Sequence, residues 1–172
     1  IEDFRIGTLH AHALRALGMP RVADDHIKRW NEWVVEQDKD ADWQMTEKRK
    51  ASVDDPMDES AGETWADEQY KTVGILRARM VPEEAWTGDP KGWYAKWCEW
   101  KAEYDLVDFT DMIESCLRRG VEPSVEYDVL VLDEAQDMSA LEMALARQWA
   151  ASASSWVVSG DPSQAIFSWR GS

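Results

Sequence analysis

The sequence has few residues that could hold a fold together covalently or through metal. Cys98 and Cys116 are the only cysteines in 172 residues, too few for a disulfide scaffold or a four-ligand zinc site, and both read as buried reduced thiols. Long apolar runs are also missing. Nothing approaches the roughly 20 apolar residues that cross a bilayer, and residues 1–20 lack the basic start and apolar stretch of a signal peptide. No membrane partner is therefore expected, and the chain reads as soluble and cytoplasmic. Positive charge is the third scarcity: 19 Lys and Arg face 34 Asp and Glu, for a formal net charge of −15. Such a surface repels phosphates at long range. Composition alone therefore weighs against a nucleic-acid binder and favours a soluble enzyme, an interaction module or a DNA mimic.

What is abundant is tryptophan. With 11 Trp and 44% hydrophobic residues, the chain can build a core and does not have the composition of a disordered segment. Its length suits one domain, with room for a subdomain.

Apolar periodicity divides the chain into three zones. Residues 4–8 suit a short strand and residues 9–17 a helix, with Leu9, Ala13, Ala16 and Leu17 on one face; Gly18 stands where a left-handed cap belongs and Pro20 blocks continuation. Residues 21–103 are Trp-rich, charged and short of strand-like runs. Trp93, Trp97, Trp100 and Tyr104 recur at helical spacing, which predicts a small helical subdomain whose core needs large side chains, the alternative being a base-stacking surface. Residues 52–62, with four acids and few apolar side chains, read as an exposed loop. In the third zone, residues 109–118 form a helix ending at Gly120. Residues 129–132 are a continuous apolar run, the mark of a strand buried on both faces. A helix over residues 139–149 and another buried strand over 156–158 complete a βαβ unit, whose strands should be parallel.

Each of these strands ends in acid: Asp133-Glu134 after the first, Gly160-Asp161 after the second. Ligand crevices in open α/β sheets lie outside the carboxyl ends of the strands, so both clusters should face one site. Magnesium takes one or two carboxylates together with substrate phosphates, a role that suits Asp133. Glu134 could orient and deprotonate a water. Loop solvation, or helix capping by Asp137, explains such residues equally well in isolation.

The full strings narrow the choice. Val131-Leu132-Asp133-Glu134-Ala135-Gln136-Asp137 resembles motif II, the Walker B box, of superfamily 1 helicases of the UvrD/Rep type. Gly160-Asp161-Pro162-Ser163-Gln164-Ala165-Ile166-Phe167-Ser168-Trp169-Arg170-Gly171 resembles the motif III of that family. Gly7-Thr8-Leu9-His10 is similar to its motif Ib, and Asp108-Phe109-Thr110-Asp111-Met112-Ile113 to the short acidic element that precedes motif II. All four occur in family order.

The resemblance implies an α/β fold: a partial RecA-like parallel sheet with flanking helices, interrupted by a mainly helical inserted subdomain. Residues 1–20 and 104–172 would form parts of the first RecA-like domain, and residues 21–103 the insert, usually called 1B. It implies ATP and Mg2+ as cofactors, and single-stranded DNA, or its junction with duplex, as partner. Asp133 would hold the metal, Glu134 would activate water, and Gln164 would sense the terminal phosphate. Phe167, Trp169 and Arg170 would contact bases or strand, with Thr8 and His10 near the DNA backbone. Aromatic faces bind any base at about 1–3 kcal/mol each without sequence readout, as a motor on arbitrary sequence requires. Core packing for Phe167 and Trp169, a helix-start role for Thr8 and His10, and a salt bridge for Arg170 are the structural alternatives.

Two expectations qualify this. None of the nine Gly residues is followed by Lys-Ser or Lys-Thr, so the phosphate-cradling loop of such motors is missing from the sequence. The chain therefore reads as a fragment of a longer helicase, without ATPase activity of its own. Residues 21–103 carry 20 acids against 13 bases, and neither they nor the rest of the chain has a basic stripe, so the chain alone should bind single-stranded DNA poorly. A helicase-nuclease of the RecB or AddA kind, and a non-catalytic protein-interaction module, are the alternative readings.

Overall fold

The computed structural model describes residues 6–37, 41–47, 64–161 and 163. Among the described residues, six α-helices and two two-stranded parallel sheets build a mixed α/β structure. Helix α1 (Leu9–Ala16) starts at Thr8, whose Oγ1 accepts the Ala11 N–H at 3.1 Å. It stops where Gly18 takes φ +80° and Met19 φ +60°. The first of these is glycine's ordinary use at a helix end. The strand expected over residues 4–8 lies partly outside the described residues, and residues 6–8 form no strand.

Strand β1 (Arg21–Val22) pairs in parallel with β2 (Leu106–Val107), Arg21 opposite Leu106 and Val22 opposite Val107. The chain between them is an excursion that returns to its starting point. Within it come α2 (Ile27–Glu36), α3 (Trp65–Ala78) and α4 (Asp89–Tyr104). The predicted Trp stripe of α4 faces inward: Trp93, Trp97 and Trp100 are buried together with Trp30 and Trp33 of α2. Their rings touch at centroid distances of 5.2 Å (Trp30–Trp97), 5.4 Å (Trp93–Trp97) and 4.8 Å (Trp97–Trp100). Burial of a side chain this large contributes up to roughly 4–6 kcal/mol, so a few tryptophans stabilise a core that has few other large residues. These side chains are interior packing, not a base-stacking surface.

A second, separate core collects Ala13 of α1, Met112, Ile113 and Cys116 of α5 (Phe109–Arg119), and Leu141, Leu145 and Trp149 of α6 (Ala140–Ala150). Helix α5 ends at Gly120 with φ +62°, as expected. Helix α6 is capped by Ser139, whose Oγ accepts the Glu142 N–H while Glu142 accepts the Ser139 N–H, a reciprocal capping box. Asp137 is therefore not the cap. Strands β3 (Val129–Leu132) and β4 (Ser155–Val158) flank α6 in sequence and pair in parallel, Val129 opposite Ser155 through Leu132 opposite Val158.

One expectation fails here. Strand β3 is covered on one face only: Leu130 packs against the second core and Leu132 is buried, while Val129 and Val131 stay 51% and 63% exposed, and β4 is exposed throughout. A strand is buried on both faces only where helices cover both. Among the described residues, helices pack on one side of this pair. The loop expected at residues 52–62 lies outside the described residues.

Candidate functional site

The parallel pairing of β3 and β4 sets the site. Because the strands run side by side in register, their carboxyl ends emerge together, carrying Asp133-Glu134 from one and Gly160-Asp161 from the other. Two backbone bonds tie the exits: the Ser159 N–H donates to the Leu132 carbonyl at 2.8 Å, and the Ala135 N–H donates to the Ser159 carbonyl at 2.9 Å.

Asp133 and Glu134 are both exposed. Asp133 Oδ1 accepts the Glu134 N–H at 3.1 Å. Glu134 takes φ +52°, a left-handed conformation uncommon outside glycine, which turns the chain sharply into the helical turn Ala135–Asp137. Its carboxylate accepts a hydrogen bond from Gln136 Nε2. The other end of the same amide, Gln136 Oε1, accepts the Asp161 N–H at 3.0 Å. Asp161 Oδ1 in turn accepts from Ser163 N–H and Oγ at 2.9 and 2.7 Å. Gly160 permits this approach: a Cβ there would lie 2.6 Å from Gln136 Oε1 and 3.2 Å from the nitrogens of Ala135 and Gln136. Gln164, Phe167, Trp169 and Arg170 lie outside the described residues.

Thr8 and His10 sit at the start of α1. Thr8 serves as the cap described above. The His10 ring meets Phe109 edge-on at 5.8 Å, and its Nδ1 is 3.6 Å from Glu142 Oε1. Both line a cavity of about 510 Å³ that also takes in Tyr70, Lys71, Phe109 and Glu142.

Sequence reading missed a third constellation, in which Arg77 of α3 and Lys101 of α4 converge on the acids of α5. The Arg77 guanidinium donates to Asp108 at 3.0 and 3.1 Å, to Asp111 at 2.7 Å, and to Glu114 at 2.8 and 3.0 Å. Lys101 Nζ donates to Asp108 and Asp111 at 2.6 and 2.5 Å, and Trp97 Nε1 donates to Asp108 at 2.9 Å. Burial alone would raise the pKa of Asp108, but Arg77 and Lys101 overcome it and hold the carboxyl at about 2. The pKa of Lys101 is raised: burial opposes its charge, and Asp108 and Asp111 outweigh that. Asp108 and Asp111 also exchange side-chain-to-backbone bonds at 2.7 and 2.8 Å, the capping box that starts α5. The signal was a lysine placed four residues after Trp97 on a stripe of buried tryptophans. A cation there must find carboxylates.

A family model for the UvrD/REP helicase N-terminal domain matches residues 1–172. The chain belongs to this family, and it is accordingly a domain of a DNA helicase. A comparison with curated proteins finds no match. Among the described residues no helix is long and apolar enough to cross a membrane.

Proposed function

We propose that this domain supplies the Walker B and motif III elements of an ATP-dependent DNA translocase. Residues 1–20 and 104–172 belong to its first RecA-like domain, and residues 21–103 form the inserted subdomain. The observation that carries the reading is the parallel β3–β4 pair, which delivers Asp133-Glu134 and Gly160-Asp161 to one edge joined through Gln136. The two separate cores, and the β1–β2 pair that closes the helical excursion, support the division.

The donor set suits magnesium nucleotide. Asp133 and Glu134 are adjacent exposed carboxylates at a strand end. Magnesium is bound in this way when substrate phosphates and waters complete its octahedron. Asp133 would hold the metal, which with ATP supplies charge neutralisation at the transferred phosphate. Glu134 orients and deprotonates the attacking water, and Gln164 reads the terminal phosphate. Phe167, Trp169 and Arg170 engage single-stranded DNA, and Thr8 and His10 lie along its backbone.

The isolated chain binds single-stranded DNA weakly and does not turn over ATP. Two of its cations, Arg77 and Lys101, are buried against internal carboxylates, so they cannot contribute to a phosphate-binding surface. The test is Glu134→Gln in the complete helicase: ATP hydrolysis should be lost while nucleotide binding persists. Unchanged turnover would overturn the assignment of Glu134.

A further inference from the structure

We propose that Gln136 is a positioning residue, a two-ended clamp that holds the Glu134 carboxylate and anchors it to the backbone of the neighbouring strand-end loop at Asp161. The inference rests on the reading of Glu134 as the water-activating group and assigns the residue that aims it.

The argument begins with the chemistry of a primary amide. Gln136 has one donor end and one acceptor end, and its two partners leave no choice of orientation. The Glu134 carboxylate can only accept, so it must face the NH2, and the Asp161 N–H can only donate, so it must face the carbonyl oxygen. Both contacts are satisfied together. Glu134 itself is exposed, and its backbone is turned by a left-handed φ of +52°, so neither burial nor helix geometry directs its side chain. The Gln136 amide supplies that direction. The bridge also spans the two strands that the candidate site needs: Glu134 follows β3, Asp161 follows β4, and Asp161 Oδ1 continues the chain of bonds to Ser163, immediately before Gln164 in sequence. Gly160 completes the device by omission, since a Cβ there would lie 2.6 Å from Gln136 Oε1 and force the amide to shift.

A merely local surface hydrogen bond would not carry a perturbation from Glu134 to Asp161, and this is what the experiment reads. In the 15N-labelled 172-residue chain, Glu134→Ala should shift the Gln136 side-chain NH2 resonances and the Asp161 amide resonance. With Gln136→Leu already present, the same substitution should leave Asp161 unmoved. Gly160→Ala should reproduce the Gln136→Leu effect at Asp161 with Gln136 intact. Gln136→Glu, which keeps the acceptor and removes the donor, should retain the Asp161 contact while losing that to Glu134. Unchanged amide resonances along β3 and β4 verify folding in each variant. An Asp161 response to Glu134→Ala that persists without Gln136, or Gln136 resonances indifferent to Glu134, would overturn the clamp.

These shifts report the bridge whether or not Glu134 activates water, so failure of the clamp and failure of the catalytic assignment are separable. In the complete helicase, Gln136→Leu should lower kcat for ATP hydrolysis about tenfold or more through misaim of the base, with KM for ATP unchanged. A kcat equal to that of the parent enzyme would refute the positioning role.

Discussion

Two places in this molecule share one local pattern, a short parallel strand followed at once by acid, and they come to opposite ends. After β2 comes Asp108, with Asp111 three residues on; after β3 come Asp133 and Glu134. Asp108 is 2% exposed and meets Arg77, Lys101 and Trp97. Asp133 and Glu134 face solvent. In the first place the fold has brought its own cations to the carboxylates, so the charge is spent internally as a fastener between the Trp-rich core and the second core. In the second, no cation among the described residues pairs with the carboxylates, which on the proposed reading serve magnesium nucleotide. An acid at a strand end is thus not a ligand site by position alone, since the fold can supply its own cations, as it does for Asp108.

That contrast can be broken from either side, and the largest effects belong to the buried side. Trp97→Ala removes a buried ring and a donor to Asp108, and should cost about 4 kcal/mol in urea denaturation. Arg77→Met should cost about 3–5 kcal/mol, because three carboxylates lose their shared partner while Asp108 stays buried; a loss below 1 kcal/mol would mean the network is not the fastener described here. Acid supplies a graded version. The carboxyl of Asp108 is held at about 2 against an ordinary value of 3.8, so its contribution is complete above pH 5 and disappears as the pH falls through 4 toward 2. The loss amounts to about 2 kcal/mol. Urea midpoints measured at intervals over that range check the sign.

Smaller still is Ser139→Ala, which removes the α6 cap and should cost about 1 kcal/mol by thermal melting. At the exposed site, Asp133→Asn and Glu134→Gln should change stability by no more than about 0.5 kcal/mol, while abolishing ATP hydrolysis by the complete helicase. A large stability loss there would erase the distinction between the two acid pairs.

Much of the fold was legible because it rests on local rules. The Trp93, Trp97, Trp100 repeat required a helix with one buried side, and Gly18 and Gly120 stand at φ values that glycine permits. The apolar run before Asp133 is a strand, parallel to the one before Gly160. What failed depended on distant partners. Burial of both faces of β3 could not follow from its own composition, because it depends on what packs on the second face. The roles of Arg77 and Lys101 were invisible for the same reason: Arg77 finds Asp108 across 31 positions. Gln136 and Gly160 were quoted within motifs, but nothing in the strings says that one side chain would link both loops.

Residue order by itself therefore determined helices α1, α4, α5 and α6, the parallel direction of β3 and β4, and the family, since periodicity, caps and motif spacing act over a few neighbouring positions. Which acids would be neutralised within the molecule and which left open was decided only on folding. Coulomb and hydrogen-bond partners are chosen by distance in space, and distance in space is set by how α3 and α4 pack onto α5 and by how β4 lies beside β3.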